Sequence, residues 1–317
     1  MKSSRKFAYF FSHLLLFSTL VFLTSACQFQ FDFLNQEIED SVQSTSSPFA
    51  APTKIVFPPL ENTAKFTPIP TEVPPTPTYT EIPCQEISGT VQEVLFPSEV
   101  LGEDIKANVY FPPCYDPQRE EGYPFLVLLH GQNGLHDQWI NLGFTALADD
   151  WIIRKEISPL VIVMPFERLY LLSSYSSSYD EALVSDLLPQ LLEQYNLRQE
   201  WAARGIGGLS RGGNWVVRIA FEYPEAFGRV GAHSYTTFSG DMERVQGWLQ
   251  SVSSYRPALW FDIGEDDQYR NYSEPFVVTL QENGIPLTYK VNPGSHTVDY
   301  WKAHIHEYLS WYTQDWN

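Results

Sequence analysis

Cysteine is scarce in this 317-residue chain, which has three, and methionine is equally rare. So few thiols exclude a four-cysteine zinc site, and no H-E-x-x-H or other clustered ligand motif replaces one. A metal hydrolase built from His130, His136, Asp137 and His233 therefore has no motif behind it, and no metal or cofactor is expected. Basic residues are also few: 20 Lys and Arg face 38 Asp and Glu, a formal charge of −18. With no basic stripe, no nucleic-acid partner is expected, and the acidity supports solubility while disfavouring adhesion to anionic lipid heads. No internal repeat is present.

Long apolar runs are few too, and a permanent membrane span is the competing reading of the one near the start. The apolar run from Phe7 to Leu23 is interrupted by Ser12, His13, Ser18 and Thr19 and falls short of the roughly 20 residues a span needs. Preceded by Lys2, Arg5 and Lys6, it reads as the leader of an exported protein. It ends at Leu23-Thr24-Ser25-Ala26-Cys27, which resembles a bacterial lipoprotein signal except that Thr24 stands where Leu is usual. The expectation is a signal peptide over residues 1–26 and a membrane-anchoring lipid on Cys27, with ordinary secretion as the alternative. In both cases the mature protein works outside the cytoplasm, facing the exterior or periplasm.

Residues 44–83 hold ten prolines and eight threonines. Such a composition cannot build a core and favours extended, solvated backbone, so residues 27–83 read as a disordered tether. Residues 84–317 are long enough for one large domain. Cys84 and Cys114 remain within it. In an oxidising compartment they are expected to pair, against the alternative of two buried free thiols.

Within the domain, Ser88 to Leu95 and Ile105 to Phe111 read as an opening antiparallel pair of strands. Tyr123 to His130 and Leu160 to Pro165 are continuous apolar runs, as expected of strands covered on both faces. Further strands are expected at Arg229 to His233, Ala258 to Ile263 and Leu287 to Val291. Helices are expected at Asn141 to Ile153, Tyr179 to Tyr195, Glu274 to Glu282 and Val298 to Tyr312. The alternation implies an α/β fold with a mostly parallel central sheet flanked by helices.

The glycine cluster from Gly205 to Gly213 contains Gly208-Leu209-Ser210-Arg211-Gly212. Trp201 to Arg204 reads as a strand entering it and Asn214 to Phe221 as a helix leaving it. Strand, tight turn with serine, then helix is the setting of a nucleophile elbow; a plain turn or helix cap is the alternative. A serine hydroxyl needs a base, and the base needs an orienting group. Asp266 and Asp267 follow one late strand and His296 follows the next. The order Ser, Asp, His, with sequence separations of 57 and 29, is that of the α/β-hydrolase arrangement. Only one of the adjacent acids can orient His296, and Asp267 is preferred. His304 and His306 fall inside the closing helix, while His130, His136 and His233 are assigned supporting or pocket-lining places. For the oxyanion, the backbone N–H groups of Arg211 and Gln132 are the expected donors, with Asn133 as an alternative to Gln132. The Arg211 side chain reads as part of a surface ion pair.

These segments, together with F-P-P-C-Y, L-L-H-G-Q-N-G, G-L-S-R-G-G-N-W, G-E-D-D-Q-Y and P-G-S-H-T-V-D-Y-W, resemble the esterase-D-like group of α/β hydrolases. That group includes feruloyl and acetylxylan esterases, siderophore esterases and S-formylglutathione hydrolase. The resemblance covers nearly all of Tyr110 to Tyr312. It implies an α/β-hydrolase fold and a serine esterase with Ser210 as nucleophile, His296 as base and Asp267 as acid. Arg211 departs from the apolar residue usual at its position. Feruloyl or acetyl esters of polysaccharides are the expected substrates. An acyltransferase and a non-catalytic carbohydrate-binding domain are the rivals. Trp139, Tyr170, Tyr175, Tyr179, Tyr235 and Trp301 are candidates for an aromatic rim.

Overall fold

The opening strand pair is antiparallel, as expected: β1 (Thr90–Phe96) pairs with β2 (Ile105–Phe111) in the register Thr90↔Phe111. The computed structural model describes residues 84–316 apart from 169–173, 175, 239 and 252–256, all within one compact unit. The leader, Cys27 and the Pro/Thr-rich segment lie outside the described residues, as do Tyr170 and Tyr175. Strands β3 (Phe125–Leu129), β4 (Val161–Pro165), β5 (Arg204–Leu209), β6 (Arg229–His233), β7 (Ala258–Gly264) and β8 (Leu287–Asn292) complete an eight-stranded sheet. Its order is β1-β2-β4-β3-β5-β6-β7-β8. Strand β2 runs antiparallel to β4, and every pair from β4 to β8 is parallel.

Side chains alternate between two cores because successive residues of a strand face opposite ways. Phe125, Val127, Leu129, Val161 and Val163 point to one side, and Leu126, Leu128, Ile162 and Met164 to the other. The second side is covered by α1 (Gln138–Asn141), α2 (Phe144–Ile153) and α8 (Val298–Thr313). The first carries α3 (Tyr179–Ala182), a π-helical turn (Leu183–Leu187), α4 (Leu188–Gln194), α5 (Arg211–Glu222), α6 (Asp241–Ser251) and α7 (Arg270–Glu282). With both faces covered, β3 and β4 are apolar throughout, and the architecture is that of an α/β hydrolase.

Three local readings are corrected. Trp201–Ala203 forms a 3-10 turn rather than a strand, and β5 is the glycine cluster itself. The reason lies on the far side of the sheet: α8 and the chain end rest directly on this strand. A Cβ on Gly207 would land on the Tyr312 hydroxyl, and one on Gly205 would come within 2.9 Å of Leu126 and 3.2 Å of Trp316. The single helix expected over residues 141–153 is split at Gly143, whose φ of 91° no helix can hold. Helix α6 had no counterpart in the sequence reading. Its acidic start and mixed surface give a weak apolar stripe, with Val245 and Trp248 as its buried contacts.

The pairing of Cys84 with Cys114 is present as a disulfide, Cα–Cα 5.8 Å. No helix among the described residues is long and apolar enough to cross a membrane.

Candidate active site

Ser210 joins β5 to α5 with φ 51° and ψ −114°, a conformation that carries strain in any residue but glycine. The surroundings over-determine it. The Ser210 N–H donates to the carbonyl of His233 on β6 (2.9 Å), and the Ser210 carbonyl accepts from Asn214 N–H (3.1 Å). Close approach requires the flanking glycines. A Cβ on Gly208 would strike the Gly212 backbone, and one on Gly212 would lie 2.6 Å from the Leu129 carbonyl oxygen. The serine is thus held half-buried at the C-terminal edge of the sheet, where sites form in open α/β sheets.

Asp267 and His296 reach it from the loops after β7 and β8. His296 Nε2 lies 2.9 Å from Ser210 Oγ, and His296 Nδ1 lies 2.8 Å from Asp267 Oδ2. The other Asp267 oxygen accepts the Tyr269 N–H at 2.9 Å. Asp267 is buried and Asp266 exposed, which explains why only the former meets the imidazole. The two loops are tied together: Glu265 N–H donates to the Asn292 carbonyl (2.8 Å) and Asp266 N–H to the Gly294 carbonyl (2.9 Å). Tyr269 and Trp301 approach the imidazole edge-on, at centroid distances of 4.8 and 5.2 Å. Directly after His296, Thr297 caps α8 by accepting the Tyr300 N–H, so the base sits at a defined helix start.

The loop after β3 closes the third side. Gly131 lies against the elbow, since a Cβ built on it would be 3.6 Å from Ser210 Cβ, and its N–H donates to Gln138 Oε1 at 2.8 Å. Gly134 N–H returns to the Gly131 carbonyl in a tight turn (2.9 Å). Gln132, Gln138, Ser210, Tyr269, His296 and Trp301 share the walls of a cleft of about 530 Å³. Arg211 is the first residue of α5.

Beneath the loop, His130 is fully engaged. Its Nε2 accepts the Glu167 N–H (2.9 Å), so Nδ1 carries the proton and donates it to the Gly131 carbonyl (2.7 Å). Burial holds its pKa below the usual imidazole value, consistent with this neutral form. The Arg211 side chain is not at the surface: Nε and Nη2 bind both oxygens of buried Glu167, at 2.8 and 2.6 Å. Glu167 was missed in the sequence. Its position just past a strand end was a signal, but its partner is 44 residues away.

Other readings move. His233 is wholly buried and is not part of the cleft wall. His136 pairs with Glu93 at the surface (3.1 Å). Among the rim candidates, Trp139, Tyr179 and Tyr235 belong to the core, and Trp301 lines the cleft. Tyr269 and Val298, both exposed, supply its outer wall instead.

Residues 98–312 match the family model described as "Putative esterase". A Xylanibacter ruminicola endo-1,4-beta-xylanase/feruloyl esterase is 27% identical over 197 residues, covering 54% of this chain and 27% of that protein. An uncharacterized Corynebacterium glutamicum protein is 28% identical over 223 residues, 64% of this chain and 51% of its own. The match thus spans about a quarter of the first relative and about half of the second. Among solved structures, a ferulic acid esterase superposes with a TM-score of 0.62 at 20% identity, covering 72% of this chain and 98% of its own. The S-formylglutathione hydrolase of Staphylococcus aureus gives 0.60 at 16% identity, with 71% and 96% covered. These similarities share the hydrolase sheet, and the family match takes in the elbow and the loops after β7 and β8: the chain belongs to this esterase family of the α/β hydrolases.

Proposed function

We propose that the protein is a serine carboxylic-ester hydrolase that works through an acyl-enzyme with Ser210, His296 and Asp267. The observation that carries this reading is the unbroken line from Asp267 Oδ2 through both imidazole nitrogens to Ser210 Oγ, with contacts of 2.8 and 2.9 Å. Ser210 Oγ attacks the ester carbonyl carbon while its proton passes to His296 Nε2. Asp267 holds Nδ1–H and stabilises the imidazolium. The oxyanion forms against the backbone N–H groups of Arg211 and Gln132. As the tetrahedral species collapses, His296 returns the proton to the departing alcohol oxygen. Water then attacks the acyl-enzyme with the same base, releasing the acid and regenerating the serine.

The substrate class proposed is a feruloyl or acetyl ester of a polysaccharide. The Xylanibacter relative's name, which joins a xylanase to a feruloyl esterase, supports it, as do the aromatic walls supplied by Tyr269 and Trp301. The proposed place of action is outside the cytoplasm, on a lipid attached to Cys27. The leader sequence supports that placement.

The test is labelling by a fluorophosphonate probe together with turnover of acetylated and feruloylated xylan fragments. Wild-type protein is expected to label and to release acid, and Ser210→Ala to do neither while keeping its fold. Turnover that survives in Ser210→Ala would refute the mechanism. Release of acid from simple aryl esters but not from the fragments would refute the substrate class. Incorporation of a palmitate analogue that is lost in Cys27→Ala tests the anchor.

A further inference from the structure

A buried arginine–carboxylate pair is an expensive choice beside a nucleophile, because an apolar pair of similar volume is commonly as stable or more so. Its geometry here suggests another use. Arg211 carries one proposed oxyanion donor, its own N–H. The other donor, the Gln132 N–H, belongs to the same planar peptide unit as the Gly131 carbonyl, so the direction of that carbonyl sets the direction of the N–H. The Gly131 carbonyl accepts from His130 Nδ1 (2.7 Å), and His130 Nε2 accepts from Glu167 N–H (2.9 Å). The Glu167 carboxylate takes the Arg211 fork at 2.8 and 2.6 Å. A continuous chain of contacts therefore runs from the residue bearing the first donor to the peptide bearing the second. The guanidinium is also packed between rings, 5.5 Å from the Trp215 centroid and 5.3 Å from that of Phe238.

We propose that Arg211 and Glu167 are positioning residues, a clasp that sets the Gln132 N–H relative to the elbow through His130. This rests on the reading of Ser210 as nucleophile with those two backbone donors. The fork matters more than the charge, since a lysine offers a point charge and cannot span two carboxylate oxygens in a fixed plane. The clasp acts on the transition state, where the oxyanion exists, and hardly on ground-state binding.

The experiment compares wild type, Arg211→Met, Arg211→Lys and the apolar pair Arg211→Met/Glu167→Leu. For each, kcat and KM on 4-nitrophenyl acetate, inhibition by a phenylboronic acid that forms a tetrahedral adduct, and Tm are measured. Misplacing a reacting group by about 1 Å can cost about a hundredfold in rate. Arg211→Met is therefore expected to lose about 10- to 100-fold in kcat and in boronate affinity, with KM within about threefold. The double variant, with no unpaired buried charge, is expected to regain Tm but not kcat, and Arg211→Lys to keep Tm with only part of kcat. Wild-type kcat and boronate affinity in the double variant and in Arg211→Lys, whatever their Tm, would overturn the clasp. Ser210→Ala run alongside separates the two readings. Turnover retained there removes the nucleophile assignment, whereas an inert Ser210→Ala beside a fully active double variant removes only the clasp.

Discussion

His233 faces Asp262 across the β6–β7 ladder, and their side chains meet at 2.6 Å with no exposure to solvent. This is the same residue pairing as His296 with Asp267, set in the floor beneath the elbow, where no substrate can reach. Asp262 Oδ2 also accepts the hydroxyls of Tyr300 (2.8 Å) and Tyr308 (2.9 Å), and His233 Nε2 meets Tyr312 Oη at 2.9 Å. The network joins β6 and β7 to α8. It also steadies the residue whose carbonyl holds the Ser210 N–H.

Removing one partner of such a buried pair costs about 3–5 kcal/mol. Asp262→Ala should therefore melt far below wild type in a thermal unfolding series. The protein that remains folded at low temperature should keep kcat and KM within about threefold of wild type. A selective collapse of kcat in that folded fraction would assign the network to the chemistry instead.

Asp267 should behave in the opposite way. Asp267→Asn leaves the fold in place but offers an amide where Nδ1–H needs an acceptor, and the comparable change in a serine protease lowers kcat about ten-thousandfold. Asp266→Asn, at an exposed side chain, should stay within about threefold of wild type. Steady-state kinetics on one aryl ester distinguishes the two.

Asp180 supplies a pH signature. Burial, helped by the charge of Glu222, pushes its carboxyl up to about 6 from a usual 3.8, against the pull of Arg218. The folded state therefore binds more protons than the unfolded state between about pH 4 and 6. The resulting stabilisation is complete below the unfolded value and is lost as pH rises through the folded one. Relative to Asp180→Asn, wild type should lose up to about 3 kcal/mol across that window. Denaturant titrations of both proteins at pH 4, 5, 6 and 7 check the sign. His130, whose pKa is lowered, contributes a slope of opposite sign that cancels in the comparison.

The Cys84–Cys114 disulfide closes a loop with a sequence separation of 30, for which chain entropy predicts about 3–4 kcal/mol. Cys114 follows β2, whose end lies beside the start of β4, on the edge of the sheet away from Ser210. Reduction, or the Cys84→Ser/Cys114→Ser variant, should lower Tm while leaving kcat and KM at 25 °C unchanged.

The sheet and the order of Ser210, Asp267 and His296 were legible because each leaves a local trace: apolar runs, a glycine-flanked serine, an acid and a histidine just past strand ends. What was not legible depends on partners distant in the chain. Charge alone makes Arg211 read as surface, since nothing nearby announces Glu167. Glycine is a poor strand former, so β5 was placed too early. The strand tolerates Gly205 and Gly207 because Trp316 and Tyr312, more than a hundred residues later, occupy the space their side chains would need. His233 looked like a pocket residue by its place at a strand end, and only the Asp262 pairing reveals it as interior.

The backbone ties between the loops after β7 and β8 have a mechanical consequence. Because Glu265 and Asp266 donate to the carbonyls of Asn292 and Gly294, the acid and the base ride on one stiff platform. The serine rides on another, with β6 between them. Flexing of the sheet cannot pull the carboxylate from the imidazole without breaking those ties. The gap from imidazole to hydroxyl has no such tie across it. Of the two contacts in the Ser-His-Asp line, the one from imidazole to hydroxyl is therefore the one that spans two platforms, and motion between β5 and β7 acts on it first.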